Sequence, residues 1–115
     1  MSSLTGKTAQ SRNRALAALI KEDFTDLKFT HTPQYSDFGG HGISKYQAGT
    51  HVGASSFVSR PELRNTLIHE ELHHRWWGRG IFERHHPRDG SGLSDKFYYT
   101  IKRYEQLRGW QGVDD

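Results

Sequence analysis

Leu67-Ile68-His69-Glu70-Glu71-Leu72-His73-His74 is the stretch from which the fold of this chain is read outward. It carries H-E-x-x-H within helical apolar spacing. An α-helix turns once every ~3.6 residues, so His69 and His73 project from one face, one above the other. Two imidazoles so spaced suit a single divalent cation, and Glu70 beside the first can take the proton of a water held there.

The start of this helix is written just upstream. In Ser59-Arg60-Pro61-Glu62 the serine caps the third residue's N–H, the glutamate reaches back, and proline is tolerated in the first turn. The spacing predicts a helix from near Arg60 through Arg75 to about Trp77, ending at Gly78. Ile68, Leu72 and Trp76 form one apolar stripe, while Leu63 and Leu67 lie on another side. A helix apolar on more than one side is buried between layers. His69 and His73 fall beside the first stripe, near the core's edge, where a cleft can open.

Further out the signals are shorter. Ile43 to Phe57 reads as two strands joined by a tight turn at Ala48-Gly49, the second running from Thr50 straight toward the helix. Leu27-Lys28-Phe29-Thr30-His31 alternates like a half-buried strand that Pro33 ends, and Gln34 to Gly42 reads as a loop with His41 at the surface. Ala15, Leu16, Leu19, Ile20 and Phe24 give an amphipathic first helix over Ser11 to Phe24, after a frayed Met1 to Gln10. Arg79 to Gly92 connects to a last helix capped by Ser94. That helix carries Phe97, Ile101, Tyr104 and Leu107, stops at Gly109, and is followed by Trp110 as a contact across its end. These elements make one α+β domain over residues 1–115.

Composition narrows the function. With 115 residues the chain can bury one core, and although only 33% is hydrophobic it holds three Trp, five Tyr and six Phe, each burying much area. There is no cysteine, which excludes disulfides, thiolate zinc sites, a cysteine nucleophile and the zinc nucleobase deaminases. No apolar run approaches the ~20 residues of a membrane span, and no signal-peptide core is present. The expected setting is therefore cytosolic, or carriage within a larger polypeptide. A net charge of +3 suits an acidic partner or nucleic acid only weakly.

Around Thr66-Leu67-Ile68-His69-Glu70-Glu71-Leu72-His73-His74-Arg75, preceded by a strand and a capped turn, the chain resembles a minimal zincin. More narrowly, it is similar to the small metallopeptidase-like toxin domains at the C-termini of bacterial polymorphic toxins, over roughly Ile43 to Trp110. The resemblance implies a small twisted antiparallel sheet packed against the H-E-x-x-H helix, with N-terminal and C-terminal helices. It implies Zn2+ as cofactor, His69 and His73 as ligands, and Glu70 as general base. A third ligand would come from downstream, His86 or His85 being nearest and Glu83, Asp95 and Glu105 alternatives. The extended H-E-x-x-H-x-x-G-x-x-H pattern is absent, since Trp76 and Arg79 stand where its Gly and His would fall.

The same resemblance implies a toxin or effector that hydrolyses a peptide bond in a protein substrate. The strand Thr50–Ser56 would hold extended substrate by edge pairing, and His85, Tyr98 or His51 would contact the substrate or the oxyanion. A larger secreted polypeptide would deliver it to a target-cell cytoplasm, with a cognate immunity protein as partner. Two rivals stand beside this reading. One is a histidine-based nuclease using His41, His51 and Lys45, or His69, Glu70 and His74, the only case in which nucleic acid is a partner. The other is a non-enzymatic site or adaptor surface.

Overall fold

Thr8 sets the start of the first helix. Its hydroxyl accepts a hydrogen bond from Ser11 N at 3.1 Å, so α1 spans Ala9–Asp23, starting ahead of the expected Ser11 and inside the segment read as frayed. The computed structural model describes residues 8–37, 41–45, 49–81 and 92–110, with the side chains of the last stretch from Lys96 onward. Leu16 and Leu19 turn the buried face of α1 into the core.

Leu27–His31 is not the strand its alternation suggested. The carboxylate of Glu71 takes the main-chain N–H of Thr30 at 2.9 Å and its hydroxyl at 2.7 Å. Arg75, itself paired with Glu71 at 2.8 Å, donates to the Lys28 carbonyl at 3.0 Å. Backbone groups that a ladder would have used are satisfied by side chains of the central helix instead. The strand forms just beyond Pro33, within the segment read as a loop, as β1 (Gln34–Tyr35).

The hairpin is present but short. β2 (Gly42–Lys45) and β3 (Gly49–Val52) pair antiparallel, with Ser44 opposite Thr50 and Ile43 opposite His51. β3 was expected to continue to Phe57. It stops at Val52, and Ala54–Val58 winds into a 3-10 turn that buries Ser56 and Phe57. β1 pairs with β3 in parallel, so the sheet is mixed rather than wholly antiparallel, in the order β1-β3-β2. β3 is thus the central strand, and its backbone is engaged on both sides. Among the described residues it has no free edge for a substrate, contrary to the role expected of Thr50–Ser56, and β2 is an edge.

Helix α2 (Arg60–Gly78) follows the sequence closely, with the Ser59 hydroxyl accepting from Glu62 N at 3.2 Å. α3 (Gly92–Leu107) begins ahead of Ser94, and Gly109 leaves it at a positive φ of 71°. Trp110 then packs edge-on against Phe24 at 5.3 Å, as a contact across the helix end. α2 lies between layers: Leu63 and Leu67 are fully buried, and Phe57, Val52, Phe97 and Ile101 complete the core around it. Burying a side chain of this size contributes roughly 1.5–3 kcal/mol. No helix among the described residues is long and apolar enough to cross a membrane.

Candidate active site

One polar stripe of α2 faces the sheet. Glu62, Thr66, Glu70 and His74 recur every fourth residue and therefore share a face. The Glu62 carboxylate lies 3.4 Å from His41 Nε2, and Thr66 Oγ1 lies 2.6 Å from Ser56 Oγ. Glu70 accepts from Ser44 at 2.7 Å, and His74 Nε2 donates to the Gly49 carbonyl at 3.1 Å. These bonds to β2, β3 and the turn after β3 fix the register of the helix on the sheet, and leave its buried polar groups satisfied.

Glu70 is both buried and anchored. Its side chain is only 8% exposed, and burial, partly countered by the Ser44 hydrogen bonds, pushes its carboxyl up to about 7. Oε2 lies 4.0 Å from His69 Nε2. Gly42 makes room on the same side: a Cβ there would stand 2.9 Å from Glu70 Oε2 and 2.7 Å from Thr66 Cγ2. The sequence did not single out Ser44 or Gly42. Alternation with exposed Ile43 and Lys45 puts both on the helix side of β2, but which helix residue they meet is a long-range fact.

The adjacent face of α2 carries the two imidazoles toward α3. The rings of His69 and His73 are neighbours, with centroids 5.0 Å apart and planes at 70°. Phe97 backs both, 5.1 Å from His69 and 4.5 Å from His73, and Trp77 stacks on His73 at 5.6 Å. His69 keeps 25% of its side chain exposed, so the pair opens to solvent on that side. Two adjacent imidazoles beside a carboxylate form a donor set suited to a zinc-class divalent cation. Among the described residues, however, no group of three His, Asp or Glu side chains is arranged to hold a metal.

The remaining candidates lie elsewhere. His85, His86 and Glu83 fall outside the described residues, as does the side chain of Asp95. Glu105 is buried next to Asn65, 3.4 Å from its amide, a turn of α2 before His69. His51 Nδ1 shares a 2.6 Å hydrogen bond with Ser36, and its side chain alternates with the buried Thr50 and Val52. Tyr98 packs edge-on against Tyr99 with Lys102 over its ring. His41, expected at the surface, is 59% exposed. The structure thus brings together His69, Glu70 and His73.

One helix of this α+β domain presents a buried carboxylate and a pair of imidazoles, with the sheet fixing the carboxylate. The chain belongs to the metallopeptidase toxin 5 family, whose model matches residues 1–110. Comparison with curated proteins and with solved structures returned no match. The family implies a metal cofactor, a hydrolytic activity and a protein substrate.

Proposed function

We propose that this domain is a zinc-dependent peptidase acting as a toxin, with His69 and His73 holding the metal and Glu70 as general base. The observation that carries the reading is the Glu70 carboxylate, buried and set 4.0 Å from His69 Nε2. A buried carboxylate held in place by a hydrogen bond suits general-base catalysis better than an exposed, mobile glutamate would. Zinc, when bound, supplies a Lewis acid that polarises the peptide carbonyl and acidifies water. Glu70 takes the proton of the attacking water and returns it to the departing amine nitrogen. Phe97 packs against both imidazoles and Trp77 against that of His73, which keeps the rings in place.

β2 is the strand along which an extended substrate would add, because it is an edge and its inward face carries the contact to Glu70. His86, with His85 as the alternative, is the ligand we assign to complete the site. His85 or Tyr98 would steady the oxyanion. The domain would reach a target cell as part of a larger secreted polypeptide and be held in check by an immunity protein. Family membership favours this reading over a nuclease.

The test is cleavage of a proteome-derived peptide library by the zinc-loaded protein. E70Q should lose at least about 100-fold in rate while keeping its zinc, and H69A should lose both. Cleavage that survives a chelator, or that E70Q performs as well as the native chain, rules the reading out.

A further inference from the structure

We propose that Ser44 is the positioning residue for the Glu70 carboxylate, tying Oε1 to β2 so that Oε2 is the oxygen that receives the water's proton. This deepens the peptidase reading and rests on it.

The two oxygens of Glu70 have different surroundings. Ser44 Oγ donates to Oε1 at 2.7 Å and also lies 3.0 Å from the main-chain carbonyl of Glu70 itself. The serine therefore spans one residue of the helix from its backbone to its side-chain tip. Oε2 takes no hydrogen bond from Ser44 and lies 4.0 Å from His69 Nε2, on the side of Gly42. The site of a Cβ on Gly42 lies 3.0 Å from Glu70 Cγ and 2.9 Å from Oε2, so the carboxylate arm occupies the space that a side chain there would fill. β2 thus turns its two smallest residues to the helix, one leaving room and the next but one supplying a donor.

A glutamate has three side-chain torsions, and a base that samples many rotamers spends little time aligned with its proton. Anchoring one oxygen leaves one orientation for the other. The anchor is itself rigid. Ser44 is opposite Thr50 in the hairpin, and the Thr66–Ser56 and His74–Gly49 contacts hold the helix a turn to either side. In the reaction, the water's O–H bond breaks as its oxygen bonds to the carbonyl carbon. The proton resides on Oε2 and moves to the amine nitrogen as the C–N bond breaks. Ser44 keeps its own proton throughout, so it is not a catalytic residue.

A merely structural Ser44 would affect stability alone. The experiment compares S44A and S44T with the native full chain, zinc-loaded, on a peptide taken from the cleaved members of the library, with E70Q as reference. Positioning requires that S44A lose about 10–100-fold in kcat at unchanged KM and zinc content, and that S44T recover most of it. The crystal structure of S44A should show the Glu70 carboxylate displaced by about 1 Å or more, with His69 and His73 in place. Native kcat in S44A, no recovery in S44T, or an unmoved carboxylate in the S44A crystal overturns the proposal alone. E70Q cleaving as fast as the native chain overturns the peptidase reading and this proposal with it.

Discussion

The Phe97 ring lies 4.5 Å from the His73 imidazole, centroid to centroid, and joins α3 to the H-E-x-x-H helix. The same ring meets Trp76 edge-on at 5.0 Å, so one core residue both builds the α2–α3 contact and backs the imidazoles. F97A should therefore destabilise the fold by about 3–5 kcal/mol, the usual cost of emptying a buried phenylalanine site. F97L should cost far less. Urea unfolding of both variants checks this, and zinc titration of F97L should show weakened binding if the ring also orients the histidines.

In the metal-free protein the contribution of Glu70 to stability should fall as pH rises from 4.5 to 7, against a rise from His74, whose burial depresses its imidazole. Glu70 has an ordinary value of 4.5 and is held at about 7 by burial, so the folded chain binds more protons than the unfolded chain between those values. Its contribution is full below 4.5 and disappears as pH passes 7, a change of about 3 kcal/mol. Chemical denaturation of chelator-treated protein from pH 4.5 to 8 measures the slope, and E70Q should remove the Glu70 part of it.

Gly42 should resist any side chain. G42A places a Cβ 2.7 Å from Thr66 Cγ2 and 2.9 Å from Glu70 Oε2, so strand and helix must separate or Glu70 must turn. We expect about 1–3 kcal/mol of destabilisation together with reduced turnover. Gly78 is the control, since a Cβ there meets nothing within 4 Å. G78A should be neutral, or stabilising by up to about 1 kcal/mol.

Asp23 joins the end of α1 to the start of α2. Oδ2 accepts from Arg60 at 2.9 Å and from Arg64 at 2.8 Å. An acid at a helix C-terminus and bases at an N-terminus are each unfavourable alone, so the pairing removes two dipole conflicts at once. Burial by itself would raise the Asp23 carboxyl, but Arg60 and Arg64 outweigh it and hold the group below its ordinary range. This stability is present above the ordinary carboxylate value and is lost as pH falls through the depressed one. D23N should cost about 1–3 kcal/mol at pH 7 and reduce the acid sensitivity, as followed by thermal melts between pH 2 and 7.

Helix α2 was legible because its signals are local: a serine cap, a first-turn proline, apolar stripes and H-E-x-x-H all lie within Ser59–Gly78. Leu27–His31 was misread because its alternation is real but Glu71 and Arg75, far along the chain, claim its backbone. β1 was missed because two residues carry no period, and the length of β3 was overestimated because Ser56 is drawn to His41 and Thr66. In the candidate site, spacing alone points to His69, Glu70 and His73, whereas it does not point to Ser44 and Gly42. Their part depends on which face of an edge strand meets the helix, a relation that only the fold supplies.

The most direct measurement is a zinc titration of the chelator-stripped chain beside H69A and E70Q. Tight binding of a single equivalent by the native chain and by E70Q, with loss in H69A, is the expected result. His69 is the more exposed of the two rings, so its removal should spare the fold. A native chain that binds no zinc, or an H69A variant that binds it as tightly, would contradict the claim that these imidazoles hold the metal.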